Sequence, residues 1–253
     1  MAAPDEATEL SYPDWVVDLL RGDLGHDTAD AALVAMNRAA SPTVRADGYT
    51  QDLGSQLVAE LVGASDGERV LDLCAAPGGK ATAMAADGAM VVASDLQPQR
   101  VGLIRRNVER LGAERVALVV ADAAHPPFRP GGADRVLLDA PCSGLGVLRR
   151  RPDARWRLEA AAVPRLAELQ RRLVDAAVEL VRPGGVLVYS VCTLSLAESR
   201  GIDEHVEEHH PALEPLPPPG DPWQAWGRGA LLLPQAADTD GMFIARYRVP
   251  GQP

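Results

Sequence analysis

Four short apolar runs in this sequence end on a carboxylate: Asp72 in RVLDLC, Asp95 in MVVASD, Asp122 in RVALVVAD and Asp139 in DRVLLDA. A carboxylate just past a strand accepts hydrogen bonds from ribose hydroxyls, and four in succession describe a nucleoside crevice along one rim of a sheet. Singly, each would be an ordinary helix cap. The first run leads into Cys74-Ala75-Ala76-Pro77-Gly78-Gly79-Lys80, a small-residue turn that opens a helix. Paired glycines let a ligand approach the backbone, and a helix start adds free N–H groups with partial positive charge. The pattern is neither GxGxxG nor a P-loop, so NAD(P) and ATP are poorly matched. Read alone, it would be a tight strand-to-helix connection. Cys142 and Cys192 follow the fourth and fifth runs, on the same rim. A thiolate near Lys80 and a helix start would have a lowered pKa and serve as a nucleophile, whereas a free cysteine taken singly is ordinarily buried and inert.

Groups on one rim require elements that bring them there. From Arg69 the apolar runs alternate with amphipathic stretches that predict helices over 79–87, 97–111, 162–181 and 195–209, with GVLVYSV and MFIARYRV as the last two strands. That alternation predicts βαβ units and a doubly wound α/β sheet covered on both faces. Ahead of it, residues 10–40 read as two short helices, the second capped by Asp27 or Thr28. From Gln51 a further helix puts Leu53, Leu57, Val58 and Leu61 on one stripe and ends at Gly63. Residues 211–240, rich in Pro and Gly, read as an ordered surface loop before the last strand.

Composition bounds the answer. A chain of 253 residues, 47% hydrophobic and 24% charged, builds one large domain or a domain with a small appendage. No apolar stretch is long enough to span a bilayer, and the first ten residues are acidic, unlike a signal peptide, so a cytoplasmic protein without a membrane partner is expected. The three cysteines include no CxxC pair, which argues against a disulfide framework and a cysteine-only zinc site. The net charge of −10 does not announce a nucleic-acid binder, yet residues 142–172 carry eight arginines against three acids. Lys80 is the one lysine among 25 basic residues.

The segments DLCAAPGGKAT, DLQPQR, ADA, LLDAPCSGLGVLRRRPDARWR, YSVCTLSLAES and TDGMFIARYR resemble the successive motifs of the RsmB/Sun-type RNA cytosine-5 methyltransferases. The likeness covers roughly residues 45–250, and YPDWVVDLL and NRAASPTVRA are similar to the segment that precedes the catalytic domain in bacterial members. It implies a class I methyltransferase Rossmann-like sheet, mostly parallel with an antiparallel C-terminal strand. A small helical segment over 1–47 would precede a catalytic domain over 48–253. It also implies S-adenosylmethionine as cofactor, framed by residues 74–80, Asp95, Arg100, Asp122 and Asp139. By the resemblance, Cys192 attacks carbon 6 of cytosine, Cys142 assists breakdown of the adduct, Asp139 holds the amine and ring nitrogen, and Lys80 sits between the cofactor loop and the cysteines. The sequence departs from the family in the short link TVRADGYTQD, where a longer substrate-binding segment is usual, and in Gln235, where histidine is usual.

RNA, ribosomal or transfer, is the expected partner of a monomeric protein. The target base must leave its stack, and LRRRPDARWR offers Arg149, Arg150, Arg151, Arg155 and Arg157 for phosphates and Trp156 for stacking. The alternative is a solvated arginine face. His205 and His209 share a helical face, but no metal site is expected there. Two other readings stay open: a nucleotide-dependent oxidoreductase, which has no use for two rim cysteines, and a non-catalytic RNA-binding or assembly module.

Overall fold

Alternation of period two runs through every central strand of the computed structural model, which describes residues 6–251. Val70, Leu137, Val188 and Ile244 point to one face of the sheet, while Leu71, Val136, Leu138, Leu187, Tyr189, Phe243 and Ala245 point to the other. Both faces are buried, so the strands read as near-continuous apolar runs.

The elements follow in chain order. Helices α1 (Glu6–Leu10), α2 (Asp14–Leu24), α3 (His26–Met36) and α4 (Leu53–Val62) precede β1 (Arg69–Asp72), α5 (Gly79–Ala86), β2 (Met90–Asp95) and α6 (Pro98–Leu111). Then come β3 (Val116–Val120), β4 (Ala133–Asp139), α7 (Ala162–Leu180), β5 (Val181–Val191) and α8 (Arg200–His209). The chain ends with β6 (Glu214–Pro215), β7 (Gln224–Trp226), β8 (Gly229–Leu232), α9 (Pro234–Ala237) and β9 (Met242–Arg248). The sheet order is β3-β2-β1-β4-β5-β9-β8-β7, with β6 beside β9. The first five strands are parallel, and β9 runs antiparallel to β5. Strand order reverses between β1 and β4, so the crevice of a doubly wound sheet opens past Asp72 and Asp139.

Local chemistry sets the helix ends. The Asp52 side chain caps α4 by accepting from the Gly54 N–H at 2.8 Å, and Gly63 closes it in the left-handed conformation. The buried face of α4 is Gly54, Val58, Ala59 and Val62, one position off the expected leucine stripe, because this short helix turns its smaller side chains to the sheet. Leu53, Leu57 and Leu61 are half-buried. The start of α3 also differs: Gly25, with a φ of 82°, makes the turn, and neither Asp27 nor Thr28 caps it. Helix α7 stops at Leu180, and β5 takes over because Pro183 disfavours helix at Arg182. The helix expected from 195 begins only at Arg200, since residues 195–199 are held as a loop by their own side chains.

Residues 211–240 are a correction. They hold the β7–β8 hairpin, and β8 pairs with β9 with every residue buried. The apolar run Gly229–Leu233 outweighs the surrounding prolines because it completes the sheet. Helices α2 and α3 pack Leu20, Leu33 and Met36 into the same core as Tyr189 and Leu194.

Candidate active site

A cleft of about 330 Å³ opens at the carboxyl ends of β1 and β4. One wall is the turn after β1. Gly78, with a φ of 103°, lies against Ile104, and a Cβ there would come 2.9 Å from it. A Cβ on Gly79 would come 2.9 Å from the Tyr49 ring, so only glycine lets the turn lie between α6 and Tyr49. The turn's carbonyls are taken up from outside: Arg100 donates to Ala76 O at 3.2 Å, Asn107 to Pro77 O at 2.9 Å and Arg45 to Gly79 O at 2.5 Å. The first N–H groups of α5 have no partner within the helix and form an anion-favouring floor.

Five of the expected groups meet here. Asp72, Cys74, Lys80, Asp139 and Cys192 line the cleft together with Ala75, Ala76, Pro77 and Gly79. Lys80 Nζ donates to Asp139 Oδ2 at 2.6 Å. Burial would lower the Lys80 pKa, but Asp139, Asp72 and Cys192 outweigh it and hold the ammonium charged. Asp72 is buried, neither of its carboxylate oxygens has a hydrogen-bond partner, and burial, with Asp139 beside it, pushes its pKa up to about 7. Asp95 closes β2 with one oxygen on the Gln97 N–H at 3.2 Å and the other on Arg100 Nε at 2.9 Å. Asp122 lies two residues past β3, half exposed, accepting from the Ala124 N–H at 2.9 Å.

The two rim cysteines lie side by side. Cys142 Sγ and Cys192 Sγ are 3.4 Å apart, each half-buried. Cys74 and Cys142 are not thiols of lowered pKa. Burial and the nearby carboxylates push Cys74 up, and the hydrogen bond with Cys192 and burial push Cys142 well up.

Arg150, expected as a phosphate ligand, instead pairs with Asp52 at 2.5 Å and Asp240 at 2.8 Å, and all three line the cleft on the side of Val147 and Met242. Asp52, Asp240 and Tyr49 are site groups that the sequence reading did not single out. Burial, with Asp52 nearby, raises Asp240 to about 6. The guanidinium groups of Arg45 and Arg110 both lie over the Tyr49 ring, 5.1 and 5.3 Å from its centre. Gly146 donates to Cys192 O at 3.0 Å and accepts from Gly241 N at 2.8 Å, tying three distant segments behind the cysteines. The motif strings carried these residues, but their partners lie far away in the chain.

The arginine stretch divides. Arg149 is buried and bonds Thr239 O, Ala39 O and Asp238. Arg155 is buried over the Tyr12 ring at 4.1 Å and donates to Met36 O, Asn37 Oδ1 and Ser11 O. Arg155 tethers the N-terminal helices and Arg149 ties Ala39 to the turn before β9, so neither is free for phosphates, because burial makes them satisfy backbone carbonyls. Arg151, Trp156 and Arg157 are exposed, Trp156 at 64%, with Arg157 paired to Asp153. His205 and His210 both contact Asp175 at 2.8 Å. No group of three His, Cys, Asp or Glu suited to a metal occurs among the described residues.

A five-stranded parallel sheet extended by antiparallel strands, with a glycine turn, strand-end carboxylates and a cleft at the switch point, defines a Rossmann-like methyltransferase. The profile of the 16S rRNA methyltransferase RsmB/F family matches residues 59–248, and the chain belongs to that family. A putative methyltransferase of Mycobacterium tuberculosis is 41% identical over 249 residues, covering 94% of this chain and 51% of that protein. The ribosomal RNA small subunit methyltransferase B of Thermus thermophilus is 38% identical over 277 residues, covering 97% and 68%. The solved structure of NSun6 from Pyrococcus horikoshii with SFG, an S-adenosylmethionine analogue, superposes with a TM-score of 0.70 at 30% identity, covering 81% of this chain and 53% of that one. The chain spans about half the length of the first curated relatives it matches. No helix among the described residues is long and apolar enough to cross a membrane.

Proposed function

We propose that this chain transfers a methyl group from S-adenosylmethionine to carbon 5 of a cytosine in RNA, ribosomal RNA foremost, with Cys192 as nucleophile. The observation that carries this reading is the cysteine pair, 3.4 Å apart, with Cys192 in the same cleft as the Lys80–Asp139 ion pair. An oxidoreductase on the same sheet would leave that pair without a task.

The residues suit the cofactor. Asp95 accepts ribose hydroxyls in exchange for its contact with Arg100, the turn after β1 brings the start of α5 to the cleft, and the unpartnered Asp72 carboxylate lines the same cleft and favours a cationic ligand. When bound, S-adenosylmethionine supplies an electrophilic methyl group.

The protein must make carbon 5 of the base nucleophilic. Cys192 Sγ, as thiolate, forms a bond to carbon 6, and the electrons of the 5,6 double bond move to carbon 5. Asp139, held by Lys80, accepts from the exocyclic amine and the protonated ring nitrogen and so stabilises the charge that builds on the base. After methylation the carbon 5 proton leaves, the Sγ–carbon 6 bond breaks and Cys192 departs, with Cys142 assisting. Flipping the base out of its stack is left to the exposed face around Arg151, Trp156 and Arg157.

Transfer of labelled methyl groups to a 16S rRNA transcript by the wild type and by Cys192→Ala tests this. Label on cytosine C5 with the wild type and none with Cys192→Ala is expected. Label on another atom, or equal label with the variant, overturns it, and RNA binding without transfer assigns the chain to a non-catalytic module.

A further inference from the structure

Glu198 is a fully buried carboxylate that the chemistry above does not use. Its Oε1 accepts from Ser143 N at 2.8 Å and Gln170 Nε2 at 3.1 Å. Its Oε2 accepts from Ser143 Oγ at 2.5 Å and Ser195 Oγ at 2.9 Å, with Thr193 Oγ1 at 3.3 Å. All of these neighbours supply donors, and no cation pairs with it among the described residues. Ser143 follows Cys142 and Thr193 follows Cys192, so one side chain gathers the loops after β4 and β5 that carry the two sulfurs.

The charges around the pair are unequal. Cys142 immediately precedes Ser143, whose N–H and hydroxyl both bond Glu198, and it shares a hydrogen bond with Cys192. Cys192 lines the cleft together with Lys80, Asp72, Asp139, Asp240 and Arg150. An anion beside a thiol disfavours its thiolate, and an ammonium favours it.

We propose that Glu198 is a positioning residue with two effects: it sets the spacing of the cysteine loops, and as a buried carboxylate held against the Cys142 loop it makes Cys142, and not Cys192, the sulfur that keeps its proton. The inference rests on the reading of Cys192 as nucleophile, but its test needs no RNA. Iodoacetamide alkylates the thiolate: the sulfur–carbon bond forms, iodide leaves, and the thiol proton has already gone to solvent. Alkylation of the whole chain across pH 6–10, resolved by site with mass spectrometry, should label Cys192 before Cys142. In Glu198→Gln, which keeps the side-chain shape, Cys142 should be labelled about fivefold faster at a given pH, with its midpoint moved down. Ser195→Ala removes one donor and keeps the charge, so it should lower the melting temperature and leave the Cys142 midpoint in place.

An unchanged Cys142 midpoint in folded Glu198→Gln overturns the proposal. So does an equal shift in Ser195→Ala, which would make loop displacement the cause. If Glu198→Gln does not fold, Ser195→Ala together with the wild-type labelling order still decides, since labelling of Cys142 first in the wild type is incompatible with the assignment. A wild type that labels Cys192 first yet transfers no methyl group would leave the electrostatic assignment standing and remove the methyltransferase reading.

Discussion

The Cys142 and Cys192 sulfurs lie within 3.4 Å although 50 residues separate them. Two thiols at that distance compete for one reaction centre, so removing either should have opposite consequences for a covalent RNA adduct. Cys192→Ala should form none. Cys142→Ala should accumulate a denaturant-resistant protein–RNA complex, because the nucleophile attacks and release is impaired. Denaturing gels of each variant incubated with S-adenosylmethionine and a 16S rRNA transcript read the difference. Trapping by Cys192→Ala in place of Cys142→Ala would exchange the two roles.

Asp72 gives a pH test of the cleft. An unfolded chain releases this proton near pH 4 and the folded protein near pH 7, so between them the folded state holds the extra proton and stability falls as pH rises. Asp72→Asn removes that slope. In urea unfolding, the variant's advantage over the wild type should be near zero at pH 4 and grow to at most about 4 kcal/mol at pH 8. A difference that does not change with pH would mean that Asp72 is not the buried, proton-holding group described.

Much of this was legible in the sequence, and the reasons for success and failure are physical. The positions of Asp72, Asp95 and Asp139 at strand ends are legible because strand ends are local events: an apolar run followed by a carboxylate needs no knowledge of the rest of the chain. The β7–β8 hairpin was missed because the prolines of 211–222 dominate the local composition, although the run Gly229–Leu233 was visible. Arg149 and Arg155 were counted as phosphate ligands because charge is read locally, while their carbonyl partners lie 90 to 144 residues away. Glu198 went unread for the same reason, since Ser143 is 55 residues distant.

Arg155 and Trp156 are neighbours with opposite exposures, so substitution should separate stability from RNA binding. Arg155→Met leaves the Met36 and Ser11 carbonyls and Asn37 Oδ1 without their donor and should cost about 2–3 kcal/mol in denaturant unfolding. Trp156→Ala should leave unfolding unchanged and weaken RNA binding in a filter assay by about tenfold, the loss of one stacked base. Loss of RNA affinity with a folded Arg155→Met, and none with Trp156→Ala, would place the RNA contact on the buried residue and overturn this division.

Gly146 is where the loop after β4 passes between the backbones of Cys192 and Gly241. A Cβ on it would lie 2.1 Å from Gly241 O and 3.0 Å from Cys192 O, and backbone cannot step aside as a flexible side chain does. Gly146→Ala must therefore break the Gly146–Cys192 and Gly241–Gly146 hydrogen bonds or move the Cys142 loop bodily. Either outcome costs about 3 kcal/mol or more. It also separates the two sulfurs, so methyl transfer should fall further than the stability loss accounts for at a temperature where the variant stays folded. Gly144→Ala, two residues away with its nearest neighbour a Val147 methyl at 3.5 Å, has room for the added carbon and is strained only by its φ of 72°. It should cost about 1–2 kcal/mol without that excess loss. Equal activity losses in the two variants, once matched for folded fraction, would show that the close approach at Gly146 does not set the cysteine geometry.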